Sequence, residues 1–202
     1  MAAAGRVCTG FSKPYVALYA NNGGTVTYSQ GQVLARGVSV SIEPETGDDN
    51  TFYADNIAAE SAPGVFTGGT VTLTVDGLLD EAESLILGMP EPTQVTVDEQ
   101  PVDIYAYGDA MDIPYVGIGY IARYMSDGVT TYVPTVLTKA RFATPSEEAA
   151  TQEDQIEWQT QELSAALMRD DTAAHNWKMR GAAQATEAEA EAVLKQLLNI
   201  TE

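Results

Sequence analysis

"YVGIGYIARYMSDGVTTYVPTVLTKARFA", residues 115–143, decides the fold. Two long segments of alternating character flank Ser126, Asp127 and Gly128. An Asp-Gly pair supplies the backbone freedom of a tight turn, so the stretch predicts a long β-hairpin. Residues 117–122, "GIGYIA", match a relaxed dinucleotide-binding fingerprint with Ala last. That fingerprint needs a strand before it and a helix opening on it, inside a βαβ frame. Here it falls within an alternating strand that carries Tyr120 and Tyr124 on its larger-residue face. A glycine inside a strand marks a bulge or a close backbone approach. No cofactor is expected.

Working toward the N-terminus, "TVTLTVDG" (70–77) alternates Val71, Leu73 and Val75 with threonines, the pattern of a half-buried strand. "VLARGVSVSIEP" (33–44) sets Val38, Val40 and Ile42 on one face and Ser39 and Ser41 on the other, and a proline ends it. "PYVALYANNGGTVTYS" (14–29) predicts two strands around an Asn-Asn-Gly-Gly turn. Between these strands and the hairpin, "LLDEAESLILGM" (78–89) changes period. Leu78, Ala82, Leu85, Ile86 and Met89 form a helical stripe, acidic residues occupy its first half, and Pro90 and Pro92 stop it. Beyond the hairpin, alternation near Ile156 and Trp158 predicts another strand. An arm over 170–185 carries His175 and Trp177. Thr186 and Glu189 fit a capping box that opens a C-terminal helix over 186–200, with Val193, Leu194, Leu197 and Leu198 as its stripe. The fold class is mainly β (α+β), with one internal helix at about 78–89 and a C-terminal helix.

The chain has 202 residues and is 45% hydrophobic, enough for a real core despite a formal net charge of −19. No Lys or Arg occurs between Arg36 and Arg123, while carboxylates run on from Glu43 to Asp112. Such a surface repels phosphate, which argues against sequence-reading of nucleic acid but leaves room for DNA passing without sticking. Cys8 is the only cysteine, so neither an intrachain disulfide nor a cysteine-based zinc site is expected. The opening "MAAAGRVCTG" lacks the features of a signal peptide. No stretch approaches the roughly 20 apolar residues of a membrane span. The expectation is a soluble protein made in a cytoplasm.

"GDDNTFYADNIAAES" (47–61) invites a calcium reading. Counted from Asp48, however, the positions that need an oxygen ligand, a glycine and a glutamate hold Phe52, Tyr53 and Ala59. No metal is expected. Catalysis is equally unsupported: no nucleophile elbow occurs, His175 is the only histidine, and Cys8 reads as a semi-buried thiol. Glu147-Glu148 and Glu153-Asp154 read as solvated charge on a loop.

The order of segments carries more than any motif. "SIEPETGDD" runs into "TFYADN" and Glu60; "TVTLTVDGL" and a helix ending "LILG" follow; then come "PYVGIGYIARYMSDG", "YVPTVLTKARFATPSEEAATQEDQIEWQTQELSAALM", and an arm with Trp177 before an Ala/Glu-rich helix. Over nearly its whole length this resembles the major tail protein, or tail tube protein, of bacteriophages with long non-contractile tails. Residues 91–108 match least. The resemblance implies a tail-tube-type β-sandwich over 1–169, including the internal helix, and a C-terminal arm and helix over 170–202. It implies a structural virion protein and no enzyme. Hexameric rings would stack into a tube that holds a tape-measure protein and later passes viral DNA. Tail terminator and tail-tip proteins would meet its ends, and no membrane is involved.

Three features of the residues agree. Long two-faced strands leave edges that a closed ring would satisfy. Acidic surplus suits a channel from which phosphates must not stick. Threonine-faced strands suit either a hydrated wall or an inter-sheet face. The segment 43–61 reads either as an inter-subunit or inter-ring loop or as a turn packed on its own subunit. In the first reading Glu43, Glu45, Asp48 and Asp49 lie near its tip, and Phe52, Tyr53 and Asp55 are its anchors. Whether that loop or the C-terminal arm links rings stays open. Rival classes are a non-polymerising terminator or neck ring, and a soluble carbohydrate- or receptor-binding β-module. Against the last, most tyrosines and Trp158 fall in strand-like segments.

Overall fold

The computed structural model describes residues 5–151 and 158–201. It opens with β1 (Val7–Asn22) and β2 (Thr25–Val33), which turn on Gly23 and Gly24 at φ 62° and 87°. A corner at 34–36 leads to β3 (Gly37–Thr46). Then come β4 (Asn50–Ala54), β5 (Ile57–Ala62) and β6 (Phe66–Val75). After α1 (Asp80–Leu87), β7 (Thr93–Val97) and β8 (Gln100–Ile104) precede the long pair β9 (Val116–Ser126) and β10 (Val129–Phe142). The chain closes with β11 (Gln161–Met168), β12 (Lys178–Arg180) and α2 (Glu187–Leu197). The fold is mainly β, as the alternation predicts.

One antiparallel sheet holds eight strands in the order β2-β1-β9-β10-β11-β6-β3, with β12 pairing β10. The β9–β10 hairpin is its spine and turns on Asp127 and Gly128, both at positive φ. The sheet curls until β3 faces β1: a Cβ on Gly37 would stand 2.1 Å from the Phe11 ring. Val16, Val71, Leu73, Ile118, Leu137 and Leu163, all fully buried, fill the interior of the curl with Ile86 and Leu87 of α1. A second core lies on the outer face, where Leu194 and Leu198 pack on Tyr15, Tyr28, Ile121 and Val136.

That second core explains the "GIGYIA" glycines. A Cβ on Gly117 would meet the Tyr28 ring at 2.5 Å, and one on Gly119 would meet Leu194 at 2.6 Å. They are sites of close approach, where the C-terminal helix beds onto its own sheet. Its capping box is formed as the sequence predicts, with the Glu189 amide donating to Thr186 Oγ1 and the Thr186 amide to Glu189 Oε2.

Several expectations are corrected. Pro44 does not end β3, which runs on to Thr46. This is an edge strand, where a missing N–H is tolerated. Val38 is 55% exposed, because the register slips between Gly37 and Ser39 and throws it out of the alternation. The first helix stops at Gly88 (φ 58°) before either proline is reached, and the Met89 amide caps Ser84 O. Trp158 lies outside any strand and is 86% exposed. Cys8 is exposed, where a semi-buried thiol was expected. Ile156, Glu153 and Asp154 lie outside the described residues.

Candidate functional site

Segment 43–61 is mostly a hairpin standing off the sheet. Among the described strands β4 and β5 pair only with each other, through Thr51↔Ser61, Phe52↔Glu60 and Ala54↔Ile57. The tip is Asp55-Asn56, at φ 52° and 64°, the paired positive values of a tight hairpin turn. A register slip beside Phe52 leaves Ala59 as a bulge. Two backbone-level contacts clamp the neck: the Gly47 amide donates to Val65 O at 2.9 Å, and the Gly64 amide donates to Asp49 Oδ1 at 3.0 Å. The clamp is tight enough that a Cβ on Gly64 would fall 1.7 Å from Gly47 O.

This places the expected residues. Phe52, Tyr53 and Ile57 lie on the hairpin, each roughly two-thirds exposed at 64%, 65% and 69%. Asp55 is at the tip. The tip position expected for the other acidic residues is corrected. Glu43 and Glu45 belong to β3, opposite Thr70 and Gly68 of the main sheet, and Asp48 and Asp49 stand at the neck. The reason is length: β3 continues through Pro44 and uses those residues in its ladder.

A second hairpin escaped the reading of the sequence. Among the described strands β7 and β8 pair only with each other, and Val95 opposite Val102 joins Val97 and Ile104 on one exposed face. Alternation at Val95, Val97, Val102 and Ile104 was there to be read. Its turn, Asp98-Glu99 at φ 51° and 65°, lacks the glycine or asparagine that usually marks one.

The arm is tied to the body by polar contacts. The Tyr19 hydroxyl donates to Asp171 Oδ2 (2.7 Å) and accepts from the Asp171 amide (2.9 Å), while Lys139 Nζ donates to the same carboxylate at 2.7 Å. Burial, then the Asp171 carboxylate, pushes the Tyr19 phenol up to about 12. Hydrogen bonds from Lys139 and then Tyr19 hold Asp171 below the usual carboxylate range. Trp177 stacks flat on Phe66 at 4.7 Å, fixing the arm against the start of β6. His175, at φ 48°, turns the arm, its amide bonded to Thr172 O and Nδ1 within 3.3 Å of Asp170 O.

Among the described residues, no group of three or more His, Cys, Asp or Glu is arranged to hold a metal. No described helix is long and apolar enough to cross a membrane. What the surface offers is two self-paired hairpins carrying exposed apolar side chains, and the edges of β2 and β3, which no further described strand pairs. No protein-family model and no curated protein matches the chain.

Proposed function

We propose that this chain is a structural virion protein whose copies close into hexameric rings and stack as the tail tube of a long non-contractile-tailed bacteriophage. The tube would hold a tape-measure protein, meet terminator and tail-tip proteins at its ends, and conduct viral DNA on ejection. The observation that carries the reading is the β4–β5 hairpin. It leaves Phe52, Tyr53 and Ile57 largely exposed, and among the described strands it pairs with none but itself. Burying such side chains is worth about 1.5–3 kcal/mol each, and an isolated two-stranded hairpin is marginal by itself. A neighbouring copy supplies both what the hairpin lacks and what the sheet edges lack. The net charge of −19 supports the conduit, since carboxylates keep phosphate from adhering to a wall.

Replacing residues 51–61 by a short glycine-rich turn tests the hairpin's part. Because it contributes nothing to either core, the variant is expected to unfold at the parent's temperature and to sediment as a monomer at concentrations where the parent assembles. Unchanged assembly would remove the hairpin from the interface.

A further inference from the structure

The β7–β8 hairpin poses a separate question, because it is one-sided. Its register puts Val95, Val97, Val102 and Ile104 on one face, each 42–54% exposed. Its tip is the acidic pair Asp98-Glu99, and no Lys or Arg occurs anywhere within it. It rises where β9 begins. The Tyr107 hydroxyl bonds Glu83 Oε1 of α1 at 2.8 Å, and the Asp112 amide bonds Gly88 O at 3.1 Å, shortly before Val116 opens the strand.

At the far end of β9 lies a surface of opposite character. Cys8 and Tyr124 are register partners and share a face, and Ser126↔Val129 puts Val129 on the same one. The guanidinium groups of Arg6 and Arg180 each stand 4.9 Å from the Tyr124 ring centroid. Neither forms an ion pair with a described residue; nor do Arg123, Arg141 and Arg169, but Arg6 and Arg180 converge on one ring. Lys178 sits on the same short strand as Arg180; its burial, then the Arg180 charge, lowers its pKa. In so acidic a chain, a cluster of three cations with no ion pair among the described residues suits an acidic partner. Val129 beside them is 63% exposed and Cys8 is free.

We infer that the β7–β8 hairpin of one copy docks on the Arg6–Tyr124–Arg180 surface of another, its valine face on Tyr124 and Val129 and its Asp98-Glu99 tip on the two arginines. Within one copy no ion pair among the described residues joins Asp98 or Glu99 to Arg6 or Arg180, so the contact is between copies. Donor and acceptor are different surfaces of the chain, so the contact is head-to-tail and propagates from copy to copy. This rests on the assembly reading and names one contact within it.

The native Cys8 provides the test. Val97→Cys places a second thiol on the hairpin face; with diamide as oxidant, each chain then carries both halves of the contact. A ladder of covalent oligomers on non-reducing gels is expected, and it should vanish in Val97→Cys with Cys8→Ser. A second pair of variants reads charge. Arg6→Glu with Arg180→Glu should raise the assembly concentration about tenfold or more, and adding Asp98→Lys with Glu99→Lys should reverse it. Tubes or rings visible by electron microscopy without any ladder, or a double arginine variant that assembles like the parent, would overturn this contact and leave the assembly reading in place. Monomers at every concentration would overturn both.

Discussion

Single glycines govern how this molecule packs. Gly119 stands in β9 where a methyl group would come within 2.6 Å of Leu194 and 2.7 Å of Leu198. Gly119→Ala is therefore expected to lift α2 from the sheet and cost about 1–3 kcal/mol. It would be read as a lower denaturant midpoint at unchanged slope. An unchanged midpoint would mean the helix is not seated there. The sequence marked Gly117 and Gly119 as either a bulge or close approaches, and the structure shows the second. It did not say what approaches them, since Tyr28 and Leu194 lie some 75 to 90 residues away in the chain. Val38 shows the opposite limit: its alternation is regular, and only the register slip beside it reveals that it faces water.

Elements were most legible where local chemistry and periodicity agreed. The β9–β10 hairpin has its Asp-Gly turn, and α2 has both its apolar stripe and its box at Thr186 and Glu189. Thr186→Ala removes the acceptor for the Glu189 amide and is expected to cost about 1 kcal/mol. Thermal unfolding followed by circular dichroism would measure it. No change in Tm would show that the cap is redundant with the helix's packing. The two projecting hairpins were legible only in part. The first drew notice through its aromatic and acidic residues, yet its true boundaries were hidden by Pro44, which looks like a strand end and is not. The second was missed because Asp98-Glu99 is a poor turn signal and its valines were not connected across it.

At the scale of the whole molecule, the buried phenols set an alkaline limit. Burial drives Tyr120 up to about 12, and burial with the Asp171 hydrogen bond does the same for Tyr19, against roughly 10 in an unfolded chain. The folded state holds these protons longer than the unfolded state. Their contribution to stability is therefore complete below about pH 10 and is lost as the pH rises through about 12. Tm should fall across that window, and less steeply in Tyr120→Phe. An equally steep fall in the variant would place the effect elsewhere. The mainly-β architecture was readable from the chain because its periodicities are strong. The curl that brings β3 to β1 was not, since pairing order leaves no mark on local sequence.

The central claim is that copies of this chain build a hollow tube, and negative-stain electron microscopy of the purified protein over a concentration series tests it most directly. Hollow tubes with a regular axial repeat are the predicted result. Single rings that never stack would move the chain to a terminator or neck role. Monomers that persist at high concentration, even with a tape-measure fragment present, would contradict the account.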